Sequence, residues 1–108
     1  MASDSTLAAL NRNQPNELLH LVVAISLNEA NIDEAIEVCS ILAKHPDANV
    51  RGNALLGFGH IARRFNRLPK DPVETLVKSG LKDSSAYVQA QSLTAVEDIE
   101  QFVGWKIA

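Results

Sequence analysis

The side chains able to do chemistry are few and scattered along this chain. Three histidines, His20, His45 and His60, lie 25 and 15 residues apart, and the lone cysteine, Cys39, precedes His45 by six. A zinc site needs three or four ligands converging at short, regular spacings. No HExxH, CxxC or Glu-x-x-His pairing occurs. His20 reads as a residue at the edge of a helix face, and His45 as a group that ends a helix near its negative pole. Cys39 falls on an apolar stripe, where a thiol acts as a small hydrophobe and lacks the basic neighbour or helix N-terminus that would activate it. Neither Ser79 nor Ser92 follows the strand-to-helix elbow of a serine nucleophile. Gly57-Phe58-Gly59 has a fragment of a dinucleotide fingerprint without the preceding strand or the third glycine. No catalytic residue, metal or cofactor is therefore expected, and the chain reads as a non-enzyme.

Charge points the same way. Asp33, Glu34 and Glu37 on one segment and Glu97, Asp98 and Glu100 on another fit solvated helix faces better than paired acid and base. Arg63, Arg64, Arg67 and Lys70 follow His60 near a helix end, where the helix dipole favours cations by about 0.3–1 kcal/mol each. Nucleic acid is disfavoured as a partner, because a binder extends such a footprint and adds stacking aromatics. Ten Lys and Arg against thirteen Asp and Glu leave a formal charge of −3. One cysteine excludes an intramolecular disulfide and suits a reducing compartment. The opening residues lack a basic stretch followed by an apolar one. The longest apolar run, Leu18–Leu27, is broken by His20 and Ser26 and falls short of the ~20 residues that span a bilayer. A cytoplasmic protein without membrane contact is expected.

These residues need elements to position them, and the 108 residues, 46% hydrophobic and 21% charged, suit one globular domain over 1–108. Within ELLHLVVAISLN, residues 17–28, Leu18, Leu21, Val22, Ala24, Ile25 and Leu27 form a broad helical face that Pro15 introduces. Before it, Ser5–Asn11 either adds a turn of helix or frays with the rest of 1–14. Asn31 and Glu34 form a capping box ahead of an amphipathic helix over Ile32–Lys44, which Pro46 ends. Asp47 or Asn49 caps the next helix. From Val50 to about Phe65 the apolar residues recur at helical spacing, and Gly52, Gly57 and Gly59 read as places for close helix approach. Asp71 and Pro72 start a helix that Gly80 is expected to stop. After capping candidates in Leu81–Ser85, a last helix runs from Ala86 to about Phe102 on Val88, Leu93, Val96 and Ile99.

A shift of 38 residues lays Val50 on Val88, Leu55 on Leu93, Ile61 on Ile99 and Val38 on Leu76. Helix pairs repeating at this period suit an α-solenoid, since one pair cannot bury its apolar face alone. The stretch DANVRGNALLGFGHIARRF, through Asn49, Val50, Arg51, Ala54, Leu55 and Ile61, resembles the second helix of HEAT-like repeats. LKDSSAYVQAQSLTAVEDI resembles it through Leu81, Asp83, Val88 and Leu93, with Gln89 in place of the usual arginine and Ser92 where Ala54 stands. The resemblance covers about 31–102. It implies an all-α, short right-handed α-solenoid of HEAT-like hairpins with about five main helices, and it implies that Arg51 pairs with Asp47 or Asp83.

HEAT-like repeats are mostly binding scaffolds, and small bacterial proteins of this look include immunity proteins. The resemblance therefore implies a protein-interaction module or, alternatively, an inhibitor that binds a cognate toxin one-to-one. In such a stack the second helices share a concave face, with Asn53, His60 and Arg64 on one helix and Gln91, Ala95 and Asp98 on the next. Tyr87 stands beside them as a candidate anchor. Partner binding is thus assigned to Asn53, His60, Arg64, Tyr87, Gln91 and Asp98. Trp105 reads as a cap over the terminal core or, if exposed, as an interface residue.

Overall fold

Each helix begins where a side chain caps the backbone or where a proline removes one of its unpaired N–H donors. In the computed structural model, which describes residues 3–107, six helices follow in order: α1 Asp4–Arg12, α2 Pro15–Asn28, α3 Ile32–Leu42, α4 Ala48–Phe65, α5 Lys70–Leu81 and α6 Ala86–Phe102. Side-chain oxygens of Ser3, Asn31, Asp47 and Ser85 accept first-turn N–H groups of α1, α3, α4 and α6. Pro15 opens α2, and α5 has a backbone break at Asp71 just before Pro72. The reciprocal half of the expected box is replaced: the Asn31 N–H donates to Glu29 Oε2 at 2.9 Å. Of the two readings of the N-terminus, Asp4–Arg12 takes the helical one and packs on α2.

The core gathers around α4. It packs on α2, α3 and α6 and also touches α5. Its buried side chains include Val50, Leu55, Phe58, Ile61 and Ala62, and they meet Leu18 and Val22 of α2, Ile36, Val38 and Cys39 of α3, Val73 and Val77 of α5, and Val88, Val96 and Ile99 of α6 in one cluster. Fully burying a Val, Leu, Ile or Phe side chain contributes about 1.5–3 kcal/mol, and α4 supplies the surface on which the core residues of four other helices meet.

Three glycines let the neighbours approach. A Cβ on Gly52 would lie 2.8 Å from the Tyr87 ring, and one on Gly59 would lie 3.2 Å from the Ala95 Cα, both on α6. Gly52 and Gly59 are two turns apart and share one face of α4. Gly57 lies against Cys39 and Ser26, where a Cβ would come within 3.0 and 3.1 Å.

Several expectations need correction. The architecture is a compact bundle of six helices and not an elongated solenoid of about five: the radius of gyration is 12.5 Å and the extents are 36 × 31 × 18 Å, against the ~13 Å usual for a compact chain of this length. Its physical reason is α4, whose contacts reach four other helices and close so short a chain into one body. Gly80 does not stop α5; it is buried inside the helix, where a Cβ would collide with Ser92 Oγ and Leu55 Cδ1. Leu93, the repeat mate of buried Leu55, is 53% exposed. Leu27 and Ala24 of α2 also face outward.

The glycine contacts differ in what would have to yield. Gly59→Ala must displace the α6 backbone, so overpacking of ~1–3 kcal/mol exceeds the gain of up to ~1 kcal/mol in helix propensity. Gly52→Ala needs only the exposed Tyr87 ring to swing aside. Urea denaturation should show Gly59→Ala destabilised by about 1–2 kcal/mol and Gly52→Ala within about 0.5 kcal/mol of the parent. Equal losses would contradict the assigned packing.

Candidate functional site

Helices α4 and α6 run side by side, and their shared surface holds most of the predicted binding residues. Gln91 Nε2 donates to the Tyr87 hydroxyl at 3.0 Å and reaches Asn53 Oδ1 at 3.5 Å. Asn53 in turn donates from Nδ2 to the Asn49 carbonyl at 2.8 Å. Tyr87 is 41% exposed, with its ring over Gly52. Asn53, Gln91 and Tyr87 therefore form one connected polar line at the N-terminal half of the seam.

Two turns further on, Gly59 admits Asp98 to the α4 backbone, and His60 stands beside it. Desolvation holds the half-buried His60 imidazole below its ordinary pKa; Asp98 opposes this and Arg63 adds to it. His60 is thus biased toward the neutral form, able to donate and accept a hydrogen bond.

Arg64 is exposed, and its guanidinium is already engaged within the chain. Its Nη1 and Nη2 donate to the Ser26 and Glu29 carbonyls at 3.1 and 2.7 Å, and its guanidinium lies 4.8 Å from the Phe65 ring centroid. It closes the C-terminus of α2 against α4, a structural task. Ala95 is buried between α4 and α6 and is not part of an exposed face.

Arg51 bears out the pairing with Asp83, through two hydrogen bonds of 2.8 and 2.9 Å. That contact holds the Asp83 carboxyl below its ordinary pKa, chiefly through the hydrogen bonds from Arg51. Gln89, which replaces arginine in the second copy, donates to the Asp83 carbonyl at 2.6 Å and so reaches the same turn. His45 was legible only as a helix-end residue. Its Nδ1 accepts the Asp47 N–H at 3.0 Å, which leaves Nε2 to donate to Asn13 Oδ1 at 2.6 Å.

Chemistry is sparse. Cys39 is fully buried, and desolvation pushes its thiol up to about 12. Among the described residues no group of three His, Cys, Asp or Glu is placed to hold a metal ion, and no helix is long and apolar enough to cross a membrane. Open cavities of about 360 and 380 Å³ lie beside Arg12, Glu17 and His20 and beside Lys78, Lys82 and Ile107. Neither contains the α4–α6 residues. Ser40 and Ser92 each bury a hydroxyl oxygen without a partner; Ser92 is packed against Gly80, which accounts for its lack of space.

No family model, curated protein or solved structure matches this chain. The chain is all-helical, and the comparisons lend no support to the HEAT-like or toxin-immunity resemblance.

Burial makes the thiol a probe of opening. Iodoacetamide at pH 8 should alkylate Cys39 in the native protein at least about a hundredfold more slowly than in the urea-unfolded chain, because reaction requires a local or global opening. Comparable rates would place Cys39 at the surface.

Proposed function

We propose that this chain is a non-catalytic protein-binding module whose contact surface is the α4–α6 seam. The observation that carries the reading is the line Asn53–Gln91–Tyr87, an aromatic ring with a hydroxyl fixed from below by a glutamine and exposed above. Tyrosine suits an anchor because it offers a large apolar area and a hydrogen-bonding tip with few rotatable bonds to immobilise. His60 and Asp98 extend the polar rim toward the other end of the seam. An aromatic anchor with polar groups around it matches the anatomy of a protein interface.

The inaccessible thiol and the dispersed histidines support the non-catalytic part of the reading. Toxin neutralisation has no observation that favours it over other protein partners.

Replacing Tyr87 by a photo-cross-linking phenylalanine analogue tests the seam directly. After irradiation in the native cells, the expected outcome is one discrete adduct with a different protein, absent when the same analogue replaces the exposed Ser79 of α5. An Asn53→Arg change, beside Gln91 on the seam, should reduce that adduct by about tenfold or more if the seam is the interface. Equal adducts from both positions, or adducts insensitive to Asn53→Arg, would reject it.

A further inference from the structure

Half of the chain's Lys and Arg residues lie where α4 ends, where α5 is approached and in the tail: Arg63, Arg64, Arg67, Lys70 and Lys106. Two aromatic contacts draw these segments together. The Arg63 guanidinium lies 5.8 Å from the Phe102 ring centroid at the end of α6, and the Lys70 ammonium lies 5.9 Å from that of Trp105 in the tail. Arg64 is used in holding α2. The other four are exposed, and among the described residues none of them joins an ion pair or donates a hydrogen bond. Glu100, the acid of α6 closest to the tail, already accepts the Ile107 N–H at 3.3 Å.

We infer that this basic, aromatic-backed end is a docking surface for an acidic, carboxylate-rich segment of a protein partner. The inference deepens the protein-binding reading by naming the partner's chemistry, and it uses a surface separate from Tyr87. Charge complementarity carries it. Outside this end the chain has five Lys and Arg against thirteen Asp and Glu along the whole sequence, so the cations form a local attractive site on an otherwise acidic molecule. Guanidinium groups take carboxylates in pairs of hydrogen bonds. Cations resting on rings lose less freedom on binding than free ones. A nucleic acid fits less well: the Phe102 and Trp105 rings are half-buried beneath cations and not open for stacking bases. The acidic remainder also repels a long polyanion.

The test is fluorescence anisotropy of a labelled octapeptide of alternating Asp and Glu, titrated with the full chain, beside a labelled oligothymidine of equal length. Arg67→Glu with Lys106→Glu alters the site without touching the aromatic contacts. Arg12→Glu with Lys44→Glu makes the same change in charge away from the tail, and thermal melts verify that each variant is folded. The peptide should bind with an affinity that falls as salt rises; the first pair should weaken it at least about tenfold and the second less than about threefold. Absence of saturable peptide binding at about 50 mM salt, equal losses in the two pairs, or tighter binding of the oligothymidine would overturn the assignment. Peptide binding that persists when the Tyr87 cross-link fails would reject the seam alone; the reverse result would reject this site alone.

Discussion

At one end of the molecule the turns between helices are joined by a chain of polar contacts, and the arrangement of α4 against α6 depends on its central member, Arg51. The guanidinium binds both Asp83 oxygens in the α5–α6 turn while its Nη1 also donates to the His45 and Pro46 carbonyls at 2.9 and 3.1 Å in the α3–α4 turn. His45 carries the chain on to Asn13 in the α1–α2 turn. The side chains of Arg51 and Asp83 are only 18% and 16% exposed, so water competes weakly for these bonds. Each lost bond would leave a partly enclosed charged group to rely on water for its partner. The chain thereby fixes how far α6 can slide along α4.

That register decides what the glycines can do. With the turns pinned, Gly52 comes under Tyr87 and Gly59 under Ala95 and Asp98, and a slide of one helical turn, about 5.4 Å, would bring side chains against side chains. Close approach aligns Asn53 with Gln91 and brings Asp98 to His60. The seam on the surface is therefore a consequence of small residues inside it and of an ion pair beyond its end. The two ends of the bundle differ in a way that bears on binding. One uses its charge internally, through Arg51 and Asp83, while the other leaves Arg63, Arg67, Lys70 and Lys106 facing water.

Much of this was legible in the chain. Helix starts announce themselves through Asn31, Asp47 and Pro72, because capping is local chemistry. The apolar stripes of α3 and α4 are correctly read because a helix face follows directly from residue spacing. Arg51 with Asp83 came from pattern resemblance, and that pairing survives although the solenoid implied by the same pattern does not. A period of 38 residues reports the order of helices and turns; it says nothing of how many neighbours one helix can touch, and α4 touches four. Leu93 and Gly80 failed for a related reason. Periodicity cannot tell a face covered by another helix from one left at the edge of the bundle, and a glycine reads as a helix stop until the Ser92 and Leu55 packed against it are known. Arg64 is exposed as its spacing implies, but its bonds to the Ser26 and Glu29 carbonyls lie too far away in the sequence to be read from it. His45 is legible as a helix-end residue, but its bond to Asn13 joins turns that only the fold brings together.

A double-mutant cycle on Arg51 and Asp83, using Arg51→Met, Asp83→Asn and the combined variant in urea denaturation, tests the pinning of these turns most directly. Asp83 has a depressed carboxyl pKa in the folded state, so the stability it contributes is present above its unfolded value of about 3.9 and is lost as pH falls through the lower folded value. The predicted result is a coupling of about 1–2 kcal/mol at neutral pH that declines once the pH drops below about 4. A coupling below about 0.3 kcal/mol at neutral pH, within ordinary additivity, would mean that the contact is incidental and that the register of α4 and α6 is set by the core alone.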